Sequence, residues 1–251
     1  ASLAARLVNA DRLDLIAVAD LAGASQAGWL AARAADHERS GLEAALEEAR
    51  RNVGIGQARL LRGRPLPALL ASLDDDADAL LALGAPGRGR LRGLASGAVG
   101  SALLRRAPCS VLFARPGSAG DVVPKRIVVG VDGSNEALNA HAVAVDLADR
   151  FDAELRTVAG LGGNRADAER LADLHPDAHL DARPPVDCLL AASAAAELLV
   201  VGSRSLRGLA ALTSVSERVA HHADCSVLVL RAGPSRDVTT SADDSTRQAA
   251  S

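Results

Sequence analysis

The sequence predicts an α/β protein built from two similar halves. Short apolar runs typical of buried parallel strands, such as 13–19 and 126–131, alternate with longer stretches typical of helices. Two motifs also occur twice in the same order. LRGLA begins at residues 91 and 206, and APCSVL at residue 107 matches ADCSVL at residue 223. The offsets of 115 and 116 residues agree closely, which indicates a tandem duplication.

Composition narrows the class of protein. The 251 residues suit one large domain or two ordinary ones, and 24% charged with 49% hydrophobic residues is typical of a globular protein in water. The few aromatic residues leave the core to aliphatic side chains. No apolar run reaches the roughly 18 residues that predict a membrane span. The net charge of −3 gives no reason to expect a nucleic-acid partner.

The cysteine pattern and the first residues bear on the compartment. Cys109, Cys188 and Cys225 are odd in number and contain no C-x-x-C pair, so neither a disulfide framework nor a zinc site is expected. The opening residues carry charges where a signal peptide would have its apolar core. We therefore expect a cytoplasmic protein.

The first half reads as four strands and intervening helices. Strands are predicted at 13–19, 57–61, 79–83 and 110–114, and helices at 1–10, 25–51 and 65–73, the second interrupted or jogged near Gly41. Four aspartates follow at 74–76 and 78. They lack the alternation of a calcium loop, so a solvated helix end is the preferred interpretation over a metal site.

The second half reads as five strands and four helices. Strands are predicted at 126–131, 154–158, 178–181, 198–202 and 226–231. Ser134 has the position of an N-cap for a helix through residue 150, with Leu138, Val145 and Leu147 facing inward. Further helices are predicted at 165–174, 186–195 and 215–222, where Ser214 and Glu217 have capping-box spacing.

Segments rich in proline, glycine and serine indicate the domain boundaries. We expect a first domain at 1–117, a linker at 118–123, a second domain at 124–233 and a disordered polar tail at 234–251.

A glycine-rich stretch lies between the strand at 79–83 and a helix predicted to begin at about Ala98. Gly84, Gly87 and Gly97 follow the spacing G-x2-G-x9-G. Residues without a Cβ let the backbone close on an anion, and a helix amino terminus adds free N–H groups. A phosphate-binding loop and a flexible surface turn are the two interpretations, and an altered second copy favours the first.

These motifs resemble the universal stress protein (UspA) family. The second half carries Val131-Asp132-Gly133-Ser134 after its first strand and closes with Ala223-Asp224-Cys225-Ser226-Val227-Leu228, while Gly84, Gly87 and Gly97 match the family's nucleotide loop. The resemblance implies two tandem flavodoxin-like (HUP/UspA-like) domains, each an open parallel sheet of strand order 3-2-1-4-5. It also implies ATP, with Mg²⁺, as a ligand at the strand ends.

Each half departs from the family pattern differently. In the first half Ala98 stands where the family has Ser or Thr, and strand 1, which would carry the adenine-side Asp, is missing. We expect an N-terminal truncation, the alternative being a sheet closed in another way. In the second half Asp132 is present and Gly202 remains, but Ser205 replaces the second loop glycine and Thr213-Ser214 stands where the family has Gly-Ser. Asp132 has two interpretations, a nucleotide contact or a turn-forming residue.

Several other residues invite a functional interpretation that we consider weaker. Arg204 and Arg207 could hold an anion, although solvation is the commoner role of loop arginines. His221 and His222 are adjacent on a predicted helix and therefore point about 100° apart, which disfavours a shared metal site. Cys109 and Cys225 precede the last strand of each half, where packing is the expected role.

The resemblance and the residues leave two functions nearly even. The first is a universal stress protein-like regulatory protein that binds nucleotide at a glycine-rich loop. The alternative is a regulatory or interaction module without nucleotide, built as a pseudo-dimer of its two halves. A homodimer through strand 5 is left open. An enzyme is not expected beyond slow ATP hydrolysis, because no Walker lysine and no Ser-His-Asp arrangement is found.

Overall fold

The computed structural model describes residues 2–8, 13–20, 29–53, 57–73, 79–84, 94–115, 123–203 and 214–231. The elements of the first half are α1 (Ser2–Leu7), β1 (Asp14–Ala19), α2 (Trp29–Val53), β2 (Gln57–Arg62), α3 (Pro65–Ala71), β3 (Leu80–Gly84), α4 (Leu94–Arg106) and β4 (Ser110–Ala114). Those of the second half are β5 (Arg126–Gly130), α5 (Asn135–Phe151), β6 (Glu154–Gly160), α6 (Arg165–Leu174), β7 (His179–Asp181), α7 (Pro185–Ser193), β8 (Leu198–Ser203), α8 (Val215–His222) and β9 (Ser226–Arg231). None of these helices is both long and apolar enough to cross a membrane.

Seven of the strands form one twisted sheet in the order β3-β4-β9-β8-β5-β6-β7. All neighbours in it are parallel except β4 and β9. Numbered within the second half alone, the order is 3-2-1-4-5. Strands β1 and β2 form a separate parallel pair, and no described residue supplies a strand between β1 and β3.

The core lies on both faces of the large sheet. Successive residues of a strand point to opposite faces. Val128 therefore joins one buried cluster with α7 and α8, whereas Ile127 and Val129 join another with α5. Strands that are buried on both faces need the continuous apolar runs found in β5, β8 and β9.

The two halves join through the antiparallel pairing of β4 with β9. Leu112 lies opposite Leu228, and these residues occupy equivalent positions of the repeat, 116 residues apart. On either side Val111 lies opposite Val229 and Phe113 opposite Val227, which are again repeat-related pairs with the halves exchanged. An approximate two-fold axis therefore passes between Leu112 and Leu228, and the chain folds as a pseudo-dimer.

This pairing also bears on the homodimer that the sequence left open. Strand β4 has β3 and β9 as neighbours, and β9 has β4 and β8. Both sides of β4 and of β9, the last strand of each half, are thus paired with other strands of the same chain. A second copy of the chain therefore has no free edge on β4 or β9 to pair with while the halves remain joined.

Three details of the predicted elements are wrong. Helix α2 runs without a break through Gly41, an exposed position where a helical glycine costs only about 1 kcal/mol. Helix α4 begins at Leu94, about one turn before the predicted start at Ala98. Leu138 is 39% exposed, because the buried face of α5 consists of four alanines and Leu147. The small alanine side chains let the helix pack closely on the sheet.

Candidate functional site

A tight turn follows β5 at the carboxyl end of the central parallel strands. One carboxylate oxygen of Asp132 accepts hydrogen bonds from the backbone N–H of Ser134 at 3.0 Å and from its hydroxyl at 2.5 Å. Gly133, between them, has φ +72°, a conformation that favours glycine. The turn-forming interpretation of Asp132 is therefore realised, and its carboxylate is held in a fixed position.

Ser134 connects this turn to helix α5. Its hydroxyl oxygen accepts a hydrogen bond from the N–H of Ala137 at 3.2 Å, which confirms the predicted N-cap. The turn, the cap and the first helical residues thus form one hydrogen-bonded unit. An open α/β sheet binds its ligands at the carboxyl ends of its strands, at the point where the strand order reverses. In the second half that point lies between β5 and β8.

Arg170 lies over the same turn and was not singled out from the sequence. Its guanidinium donates to the carbonyl oxygen of Asp132 at 3.3 Å and to the carboxylate of Asp167 at 3.2 Å. A Cβ at Gly133 would lie 3.2 Å from the guanidinium carbon. Only the fold could reveal this contact, because α6 brings Arg170 to the turn from 38 residues away.

The end of β8 lies against the start of α5. A Cβ at Gly202 would lie 2.4 Å from the carbonyl oxygen of Glu136 and 2.9 Å from the nitrogen of Ala137. A glycine is therefore needed at residue 202 for packing, whether or not a ligand binds there. Since Gly130 pairs with Val201, Gly202 and Asp132 lie at neighbouring strand ends.

The second loop residue that the structure describes is Ser214. Its hydroxyl oxygen accepts a hydrogen bond from the N–H of Glu217 at 3.2 Å and so caps α8. The carboxylate of Glu217 does not close the predicted capping box but pairs with Arg105 of α4 at 2.6 Å. Ser205 and Thr213 lie outside the described residues.

In the first half the candidate residues are placed differently from the prediction. Gly84 ends β3 and is exposed, and no atom lies within 4 Å of a Cβ built on it. Gly97 and the exposed Ala98 lie inside α4, whose free first-turn N–H groups belong instead to residues 94–96. Gly87 lies outside the described residues, as do the four aspartates at 74–76 and 78.

The two sets of candidate residues do not meet. Because β4 and β9 are antiparallel, β3 and β5 run in opposite directions, and their carboxyl ends lie on opposite sides of the sheet along the strand axis. Four strand spacings also separate these strands, about 19 Å. One bound nucleotide could not contact both Gly84 and Asp132, so these candidate residues belong to two separate groups.

The histidines and cysteines take structural positions. His221 is half-buried and its Nε2 lies 2.6 Å from the Ser101 hydroxyl, whereas His222 is exposed, as their helical spacing predicted. All three cysteines are buried and none forms a disulfide. Burial raises the pKa of the Cys225 thiol to about 12, so it stays protonated and packs as an apolar group. Among the described residues no group of three or more metal-ligating side chains occurs.

The sequence has clear relatives. The Universal stress protein family matches residues 1–115, 124–184 and 163–231. A universal stress protein of Mycobacterium bovis is 34% identical over 205 residues, covering 70% of this chain and 68% of the relative. Another, from Mycobacterium tuberculosis, is 31% identical over 197 residues and 66% of each chain.

Solved structures show the same architecture. A universal stress protein from Archaeoglobus fulgidus superposes with a TM-score of 0.67 at 17% identity, covering 88% of this chain and 86% of its own. A Pseudomonas aeruginosa protein gives 0.57 at 18% identity, covering 87% and 92%. At these identities the likeness establishes the fold. Together with the repeated family match, it shows that the chain belongs to the universal stress protein family and carries that family's α/β domain in tandem.

Proposed function

We propose that this protein is a regulatory nucleotide-binding protein whose site lies in the second half, at the carboxyl ends of β5 and β8. The observation that carries the proposal is the fixed turn Asp132-Gly133-Ser134, which stands at the reversal point of an intact five-stranded parallel order. The three buried cysteines without a disulfide favour a cytoplasmic setting for this role.

Each element at this position has a role suited to a nucleotide. The Asp132 carboxylate accepts hydrogen bonds from adenine or ribose, and Arg170 adds a positive charge beside it. Phosphate groups face the amino terminus of α8, where Ser214 keeps its hydroxyl available as a donor while it caps the helix. Mg²⁺ would bind through phosphate oxygens, since the described residues offer no metal cluster.

The first half is the less suitable site despite its better glycine spacing. Helix α4 begins a turn before the position that the family loop requires, so Gly97 and Ala98 do not present free amides. Among the described strands only β4 lies beside β3, and β4 carries no acidic residue equivalent to Asp132. We therefore assign nucleotide binding to the second half.

Calorimetric titration of ATP into the full chain, with and without Mg²⁺, tests the assignment. A ligand at 100 times its dissociation constant should add about 2.7 kcal/mol to the free energy of unfolding. Asp132→Asn keeps the oxygen that Ser134 bonds but removes the charge, so it should weaken binding without unfolding the turn. Gly87→Val, in the first half, is the matched control and should leave binding unchanged. The reverse pattern would move the site to the first half.

A second function is favoured by a specific observation. The Asp132 carboxylate is already engaged by two hydrogen bonds from Ser134, and the halves form a symmetric pseudo-dimer through β4 and β9. A module of this kind acts through protein contacts and needs no nucleotide. Absence of heat and of thermal stabilisation with ATP in the wild-type chain would favour this function over the first.

A further inference from the structure

The two helices that meet across the two-fold axis make the same contact twice. Ser101 and Glu217 occupy equivalent positions of the repeat, and so do Arg105 and His221, each pair being 116 residues apart. Arg105 of α4 pairs with Glu217 of α8 at 2.6 Å. The repeat-related contact joins Ser101 of α4 to His221 of α8, also at 2.6 Å.

The two copies differ in their charge. The Arg105–Glu217 contact is an ion pair, whereas the Ser101–His221 contact is neutral while the imidazole carries only one ring proton. Because histidine has an ordinary pKa of 6.5, only the second copy changes its charge near neutral pH. The axis therefore relates one contact of fixed charge to one whose charge depends on pH.

The surroundings of His221 disfavour its protonated form. Its ring is half-buried and packs edge-on against Phe113 of β4, with 6.0 Å between the ring centres. The charged and titratable groups that face it are Arg105 on α4, Arg115 after β4, and Glu217 and His222 on its own helix. Burial is the largest cause that lowers the pKa of His221, and the cations add to it. Glu217 opposes them, but its carboxylate is already paired with Arg105.

We propose that the Ser101–His221 contact is a pH-sensitive latch between the two halves, which holds α4 against α8 while His221 is neutral and releases them when it is protonated. Protonation leaves a hydrogen bond to Ser101 possible, since the imidazolium can donate to the serine oxygen. It also places a third cation beside Arg105 and Arg115 in a partly desolvated contact, and opening relieves that repulsion.

The sign of the effect follows from linkage. A histidine with a lowered pKa in the closed contact takes up its proton more readily when the contact opens. The stabilising effect of the neutral form is therefore present above about pH 6.5 and is lost as the pH falls below that value. The β4–β9 pairing contains no titrating side chain at its paired positions, so the release is confined to the helices.

Hydrogen exchange on the full chain tests the latch. Protection of amides in 99–106 and 215–222 is compared at pH 7.5 and pH 5.5 after correction for intrinsic exchange, with the buried strand β8 as internal reference. Wild type should lose protection in α4 and α8 by up to about tenfold, because pH 5.5 lies one unit below the ordinary pKa of histidine, while β8 loses less. An equal loss in β8, or no loss in α4 and α8, would overturn the proposal.

Three variants separate the latch from general acid sensitivity. His221→Gln removes the titrating group and should abolish the pH-dependent loss, whereas His222→Gln on the exposed neighbour should retain it. Ser101→Glu copies the repeat-related carboxylate and should raise the pKa of His221, measured from its imidazole NMR signals, so that protection in α4 and α8 increases at pH 5.5. If the His221→Gln chain still loses protection, or the Ser101→Glu chain behaves as wild type, the latch is refuted.

Discussion

Gly202→Ala gives the sharpest test of the packing at the candidate site. The substituted methyl group would lie 2.4 Å from the carbonyl oxygen of Glu136 and 2.6 Å from its carbonyl carbon. Real Cβ atoms essentially never approach closer than 3.0 Å. The obstacle is backbone, so no side-chain rotation relieves it. Strand β8 and the first turn of α5 must therefore move apart by about half an ångström.

The expected cost follows from that displacement. Extra methyl groups that force backbone shifts in a packed region cost about 1–3 kcal/mol, and we expect Gly202→Ala to fall in this range. Gly84→Ala is the matched control, because Gly84 ends the equivalent strand of the first half and has no atom within 4 Å of the added Cβ. It should be neutral or stabilising by up to about 1 kcal/mol, since glycine in a strand is less favourable than alanine.

The assay is urea unfolding of the full chain followed by far-ultraviolet circular dichroism, without nucleotide. A loss of 1–3 kcal/mol corresponds to a fall in Tm of about 2–12 °C for a chain of this size. Equal stability of the Gly202→Ala and Gly84→Ala chains would refute the reasoning. In that case the packing of β8 against α5 would not require a glycine at residue 202.

Three further predictions concern stability. Ser134→Ala should cost about 1 kcal/mol in urea unfolding, because it removes the N-cap of α5, and no loss would contradict the cap. Leu228→Ala should cost about 2–5 kcal/mol, since this buried side chain lies on the axis between the halves, and a cost below 1 kcal/mol would contradict that placement. His175 is 7% exposed, and burial, helped by nearby His141, lowers its pKa. Stability should therefore fall as the pH drops below about 6.5, and His175→Phe should flatten that fall in urea midpoints measured from pH 7 to pH 5.

Most helices and strands of the second half could be predicted from the sequence, because the signals that specify them are local. The run Arg126–Gly130 is apolar enough to be buried on both faces, and Ser134 caps the following helix as its position predicted. Helix α8 likewise begins after Ser214, although only half of its capping box forms. Propensity, capping and apolar runs act over a few residues, so they can be read without knowledge of the fold.

Contacts between distant elements could not be predicted in this way. Arg170 reaches the Asp132 turn from another helix, and the clash that explains Gly202 depends on how closely α5 packs on β8. Leu138 has an apolar side chain at a helical spacing, yet it is exposed because the alanine face of α5 packs on the sheet instead. The residues proposed for nucleotide binding at Gly84, Gly87 and Gly97 remain a prediction.

The pseudo-dimer separates the part of the molecule that must stay symmetric from the part that can diverge. At the junction, Arg115 donates to the carbonyl oxygen of Ala220, and its repeat equivalent Arg231 donates to that of Leu104. The backbone N–H groups of these arginines bond Ser226 and Ser110, which are also equivalent positions.

These contacts join the ends of β4 and β9 to each other and to α8 and α4, whereas Gly84, Asp132 and Gly202 lie at or just after the carboxyl ends of β3, β5 and β8. A substitution at one loop therefore leaves the junction contacts intact. This explains physically how one chain keeps near-identical sequence around Cys109 and Cys225 while its two glycine loops differ. It also means that loss of nucleotide binding in one half need not separate the halves.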